Sequence, residues 1–242
     1  MSTGKIIALA AAVASLAAPA SAVVLKYEAV VQELNRSGVS GLVLFDHDTR
    51  AQTLRVRADI MGLVPLMPHV NHIHGRFNED GTPRNSVTPT MAEDDIANGS
   101  NGDGFVDVFE GFDQYGDVLL SLEENPTPAS NHNGPFADDA GRVTYDITYD
   151  LMSDTPENGP IFSTVSGRDY TARDLFPLDL REYVIHGGFV DANFDNGLQR
   201  GPGYVATLPV GAAEISAVPL PASAVLLLGG LGGLALMRRR KG

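Results

Sequence analysis

The chain has 242 residues, a formal net charge of −13 and no cysteine. Without cysteine it can form neither a disulfide nor a thiolate metal site, so any metal must bind through His, Asp or Glu. The two ends carry five of the 17 basic residues and none of the 30 acidic ones, which leaves 12 basic against 30 acidic residues, a net charge of −18, on the body. This charge disfavours nucleic acid and anionic lipid as partners, although adaptation to a salty habitat would produce the same excess.

The first 22 residues have the three parts of a secretory signal peptide. Lys5 supplies the basic start, residues 6–16 are mostly apolar, and Ala20-Ser21-Ala22 places small residues at a cleavage site. The body, which begins at residue 23, is therefore expected to be exported.

Between the ends, short apolar stretches predict β-strands separated by turns rich in Gly, Asn and Asp. The clearest strands are residues 53–61 and 143–151, in which apolar and polar residues alternate. Residues 28–34 are also compatible with a helix. Because no βαβ unit is evident, residues 23–216 are predicted to form one all-β domain, an antiparallel Greek-key sandwich or barrel. The predicted strands are residues 23–34, 41–45, 53–61, 118–122, 143–151, 181–186 and 204–213.

Three of the six histidines lie within residues 68–75. His72 and His74 are two positions apart, so on a strand both side chains leave by the same face. Neutral imidazole binds zinc, copper, iron and nickel, and the pair therefore predicts part of a metal site. His186, at the end of a predicted strand, is a candidate for the remainder. The alternative is that these histidines are ordinary strand residues bonded to the main chain.

A second candidate site lies in residues 98–110, which match most of an EF-hand calcium loop. Gly104 stands at the sixth place, where the loop must turn sharply. Gly99 occupies the first place, where a carboxylate is expected, and Asp94 or Asp95 could supply that group instead. No clear flanking helices are predicted, and a solvated Asn- and Gly-rich loop is the alternative. The predicted calcium ligands are Asn101, Asp103, the carbonyl of Phe105, Asp107 and Glu110.

The C-terminal segment, residues 217–242, combines a short motif, an apolar run and a basic cluster. The apolar run, residues 223–237, is short for a spanning helix, which needs roughly 20 residues. The motif Val218-Pro219-Leu220-Pro221-Ala222 resembles the VPLPA variant of the PEP-CTERM sorting signals of Gram-negative bacteria. This resemblance implies an exosortase-type sorting enzyme as partner, a short transmembrane segment in the inner membrane before processing, and a final place in the periplasm, cell envelope or matrix. A plain membrane anchor is the alternative.

The order of the motifs in the body also resembles two families. The histidine pair on one strand, followed much later by a Val-Ile-His strand, is similar to the copper/zinc superoxide dismutase fold. The opening of the body resembles a CHRD domain in its segments 27–30, 41–45, 54–63 and 72–75.

The dismutase resemblance implies that His72, His74 and His186 are copper ligands. It further implies that His132 is a zinc or bridging ligand and that Arg200 guides an anion to the metal. His69 has no clear counterpart and is kept as a further candidate ligand. The chain departs from that family because it has too few histidines for the zinc site and no cysteine for the disulfide, so copper is implied more strongly than zinc.

The sequence patterns and the resemblances indicate two possible functions. The first is an exported CHRD/dismutase-like β-domain that acts as a binding or structural module without turnover, with or without a metal, which the incomplete ligand set favours. The second is a divergent copper-dependent superoxide dismutase, in which copper would be alternately reduced and oxidised.

Overall fold

The computed structural model describes residues 24–95, 100–123, 134–152 and 170–219. The predicted signal peptide, most of the predicted sorting signal and His132 lie outside these ranges. Within them, no helix has the length and apolar character needed to cross a membrane. The elements, in chain order, are β1 (Val24–Glu33), β2 (Ser40–Asp48), β3 (Thr53–Met61), β4 (Asn71–Phe77), β5 (Pro83–Arg84), α1 (Val108–Tyr115), β6 (Asp117–Ser121), β7 (Val143–Asp150), α2 (Ala172–Leu175), a 3₁₀ turn (Leu178–Leu180), β8 (Arg181–Val190), β9 (Gly203–Glu214) and β10 (Ser216–Ala217).

All strand pairs in the described part of the chain are antiparallel, which confirms the predicted all-β class. The strands follow the order β5-β4-β8-β9-β1-β2-β3-β7, with β6 on β4 and β10 on β1. The first three strands form a meander, and β9 returns from far along the chain to lie beside β1. This return gives the spatial order of a Greek key. The helical alternative for residues 28–34 is wrong, because β1 runs through Glu33 as a strand.

Alternation in sequence decides which face of each strand enters the core. On β3, Leu54, Val56 and Ile60 are fully buried, whereas Arg55 and Asp59 between them face solvent. Each such apolar side chain contributes about 1.5–3 kcal/mol when it is buried. The main core draws residues from both halves of the sheet, β1-β2-β3-β7 and β6-β4-β8-β9, so the two halves pack face to face.

Two strands, β4 and β8, are buried on both faces, and this distinguishes them from the meander. Their inner residues Ile73, Tyr183 and Ile185 belong to the main core. On the outer face, Val184 packs with Ala212 of β9 and Tyr115 of α1 in a small second cluster. The helix α1 and the chain leading to it therefore cover the sheet where His72 and His74 leave β4.

Candidate metal centre

The antiparallel pairing of β4 and β8 brings together three histidines that are distant in sequence. His72 lies opposite Val184, and the main-chain N–H of His186 donates to the carbonyl of Val70 at 2.8 Å. The ring centroids of His72, His74 and His186 are 5.3–5.9 Å apart. One ligand nitrogen from each ring lies within 4.8 Å of the others. The predicted meeting of the histidine pair with His186 is therefore present in the fold.

Main-chain carbonyls orient two of these rings. Nδ1 of His74 lies 2.9 Å from the carbonyl oxygen of Gly116, and Nδ1 of His186 lies 2.8 Å from that of Thr207. A carbonyl oxygen only accepts, so each Nδ1 carries the proton and donates it. The Nε2 atoms of His74 and His186 are buried and have no hydrogen-bond partner in the described structure. Their lone pairs are consequently available, which is the usual state of a histidine that ligates a metal through Nε2.

Burial keeps the imidazoles of His74 and His186 neutral. It lowers the pKa of His74 to about 3, with a further decrease from the neighbouring His186 and a partial offset from the bond to Gly116. Burial likewise lowers the pKa of His186 to about 4, against an opposing effect of the bond to Thr207. Both rings are thus neutral at neutral pH, with Nε2 unprotonated, as metal binding requires.

Tyr115, the last residue of α1, closes the cluster on its outer side. Its ring centroid is 4.6 Å from that of His74, with the rings at 64°. The phenol hydroxyl donates to the carbonyl of Val108 two turns earlier in the helix, at 3.1 Å. His72, His74 and His186 are only 5%, 3% and 3% exposed under this cover. A metal held by them would lie in a site from which water is largely excluded.

His69, the further candidate ligand, does not share the cluster. Its Nδ1 lies 2.9 Å from the carbonyl oxygen of His186, and its Nε2 lies 3.0 Å from that of Val64. His69 therefore holds the main chain at His186 rather than joining the other three rings. The next residue, Gly187, has φ +107°, and a Cβ there would overlap the Tyr204 hydroxyl and lie 2.9 Å from Nδ1 of His69. The position consequently accepts little other than glycine.

Arg200, expected to guide an anion, lies in the loop between β8 and β9. Its side chain is 82% exposed, and its Nε lies 3.0 Å from a carboxylate oxygen of Asp195. The carboxylate offsets much of the local positive charge of this arginine. His132, the predicted zinc or bridging ligand, falls outside the described residues.

The predicted calcium loop leads directly into α1, and its acidic side chains bind main-chain groups. Asp107 caps the helix by accepting from the N–H groups of Phe109 and Glu110, at 2.7 and 3.1 Å. Glu110 accepts from the N–H of Asp107 in return, which completes a capping box. Burial raises the pKa of both carboxyls, and neighbouring acidic groups raise them further. The expectation that no helix flanks this loop is wrong on its C-terminal side.

The other predicted calcium ligands connect this loop to the β8–β9 loop. Asp103 accepts from the N–H groups of Phe105 and Asp195, at 2.9 and 2.7 Å, and Asn101 donates to the carbonyl of Asp195. Over the described residues, the histidine cluster alone gathers three or more metal-binding side chains within 4.8 Å. Calcium binding by Asn101, Asp103, Phe105, Asp107 and Glu110 therefore stays a prediction.

Comparisons with known proteins leave the family open. No protein-family model matches the chain, and no curated protein matches it. Among solved structures, the chain is similar to the Cu(II) form of Candida albicans superoxide dismutase 5, at 14% identity and a TM-score of 0.38. That alignment covers 82% of this chain and 95% of the other. The resemblances to CHRD domains and to PEP-CTERM signals stay predictions from the sequence.

Proposed function

We propose that this protein is an exported β-domain that binds one copper ion through His72, His74 and His186. The observation that carries the proposal is the arrangement of the rings: three buried imidazoles converge, and two of them are fixed by carbonyls with Nε2 left over. Buried polar nitrogens without a partner are costly, and a bound cation would satisfy them. Copper held there would supply a centre that takes up and releases one electron.

The donor set favours copper over zinc or calcium. Imidazole nitrogens suit copper and zinc, and copper is the tighter-bound ion at a given nitrogen site. The cluster contains no carboxylate, so it lacks the oxygen ligands that calcium requires. Two described histidines remain. His69 is hydrogen-bonded to main-chain carbonyls, and His47, which lies on β2, stacks on Phe176. Neither adds a ligand for a zinc site.

Binding without turnover is supported by the closure of the site. Tyr115 covers the rings, and all three histidines are at most 5% exposed. Arg200, which would draw an anion inward, is engaged by Asp195. Export and attachment to the cell envelope or matrix rest on the two terminal segments, with an exosortase-type enzyme as the processing partner.

Metal content measures this function directly. The exported protein, purified and exposed to equal copper and zinc, should retain about one copper per chain by mass spectrometry of the metals. His74→Gln should lose it, because the substitution removes a ring nitrogen from the cluster. His47→Gln is the matched control: His47 is also buried on a strand but lies outside the cluster, so copper should be retained.

Two results would count against the proposal. Equal copper in His74→Gln and in the unaltered protein would remove the cluster as the binding site. Copper-dependent consumption of superoxide, lost in His74→Gln, would favour a dismutase over a module without turnover.

A further inference from the structure

A pair of arginines, Arg76 on β4 and Arg84 on β5, lies next to the candidate metal centre. Arg76 follows His74 by two positions, so its side chain leaves the strand on the same face as the histidines. It pairs directly across β4 and β5 with Arg84. Two like charges opposite each other on neighbouring strands destabilise a sheet, so this arrangement calls for a compensating group.

The other basic side chains on the sheet surface have such a group. Arg55, Arg57 and Arg142 each contact a carboxylate within 2.5–2.8 Å, and Lys26 contacts one at 3.5 Å. Arg76 and Arg84 form no ion pair with any residue that the structure describes. On a body with a net charge of −18, two neighbouring guanidinium groups that form no ion pair are unusual.

The two arginines open onto a surface cavity of about 210 Å³ that Phe112 of α1 also lines. This volume is equivalent to several water molecules at about 30 Å³ each, so a tetrahedral oxyanion fits. Burial lowers the pKa of Arg76, and Arg84 lowers it further. A guanidinium nevertheless stays charged in proteins. A third guanidinium, that of Arg181, lies behind the cavity and donates to the carbonyl of Arg76 at 3.4 Å.

Two carboxylates also line the cavity and set the limits of the site. Asp117 accepts a hydrogen bond from the hydroxyl of Tyr170. Asp113 is exposed on α1 and attracts Arg76 without reaching ion-pair distance. It would compete with a bound anion for the same guanidinium.

We propose that Arg76 and Arg84 form a binding site for a divalent oxyanion, a phosphate or sulfate group, at the end of the strand that carries His72 and His74. Guanidinium groups bind such anions through paired charge-assisted hydrogen bonds. The site does not depend on the metal, because none of its residues belongs to the histidine cluster.

Titration calorimetry with inorganic phosphate, and separately with sulfate, tests the site at an ionic strength held constant with chloride. Arg84→Gln should bind phosphate at least tenfold more weakly than the unaltered protein. Asp113→Asn should bind it more tightly, because the competing carboxylate is gone. Arg50→Gln is the matched control, since Arg50 is an exposed arginine on the turn after β2, and it should leave binding unchanged.

Thermal unfolding separates this role from a structural one. In chloride, Arg84→Gln should unfold at the same temperature as the unaltered protein or higher, because a like-charge contact is removed. In phosphate, only proteins that retain both arginines should gain stability. The proposal is overturned if phosphate does not bind, if Arg84→Gln binds it equally well, or if Arg50→Gln weakens it as much.

Discussion

The histidine cluster and the loop before α1 both have residue spacings typical of metal sites, but their side chains form different hydrogen bonds in the fold. In the histidine cluster, each of two rings donates one nitrogen's proton to a carbonyl and keeps the other nitrogen free. In the loop before α1, Asp107 and Glu110 accept from main-chain N–H groups and so build the start of the helix. An imidazole can be anchored and still ligate, because its two nitrogens point in different directions.

The two regions also differ in the charge that they bury. The cluster collects neutral rings, whose low pKa values keep them neutral through most of the pH range. The loop collects acidic groups that repel one another, and burial raises the pKa of Asp94, Asp107 and Glu110. Side chains that can bind metals thus form one cluster of neutral nitrogen donors and one segment whose carboxylates accept hydrogen bonds from the main chain.

The largest expected difference between the two regions is in how their titrating groups change the stability of the protein in acid. Above pH 6.5 the histidines are neutral in both the folded and the unfolded chain, so they do not make stability depend on pH. Below pH 6.5 the histidines of the unfolded chain become protonated. In the folded chain His74 and His186 stay neutral until about pH 3 and pH 4, respectively. The free energy of unfolding of the metal-free protein should therefore fall by up to about 1.4 kcal/mol per pH unit for each histidine. Urea unfolding at pH 7, 6 and 5 measures this slope.

Histidine variants test whether His74 and His186 cause this dependence of the free energy of unfolding on pH. His74→Gln and His186→Gln should each flatten the decline between pH 6.5 and 5, whatever their stability at pH 7. The raised pKa values of the loop carboxyls act in the opposite sense, because their contribution is lost as pH rises through those values. Glu182, whose pKa burial raises to about 8, also acts in that sense between about pH 4.5 and 8. An unchanged slope in both histidine variants would contradict the burial of neutral imidazoles.

Copper should stabilise the molecule through the cluster and calcium should not. A ligand at 100 to 1,000 times its dissociation constant stabilises a folded protein by about 3–4 kcal/mol. We expect this increase in the free energy of unfolding for copper, its loss in His186→Gln and its reversal by a chelator. Calcium at the same excess should give a much smaller change. A calcium effect as large as that of copper would show that the loop, too, is a metal site.

Much of the framework follows from local patterns in the sequence. Alternation predicts β3 and β7 because the side-chain period of a strand directly determines which residues enter the core. The His72–His74 spacing places both rings on one face for the same reason. The meeting with His186 needs the pairing of β4 and β8, which are more than 100 residues apart in sequence. The residues alone make His186 a candidate, and the resemblance to dismutases implies that it joins the pair.

Other parts of the site have weaker signals or none. The helix α1 was missed, although Asp107 followed three residues later by Glu110 is the sequence signature of a capping box. The contact of Tyr115 with His74 depends on where that helix docks. The carbonyls of Gly116 and Thr207 that orient the rings belong to the main chain, so no residue type marks them. The odd spacing of His69 from His72 and His74 separates it from that pair on a strand, but its role in holding the backbone has no signal in the sequence.

The smallest expected effect concerns the helix that covers the cluster. Asp107→Ala removes the side chain that accepts from two N–H groups of α1, and loss of such a cap costs about 1 kcal/mol. Asp113→Ala, in the last turn of the same helix, should instead be neutral or slightly stabilising, because a negative charge there opposes the helix dipole. Chemical unfolding of both variants, with and without calcium, measures the difference. If Asp107→Ala costs nothing without calcium and abolishes a stabilisation by calcium, then the loop binds that ion and the capping role assigned to Asp107 is wrong.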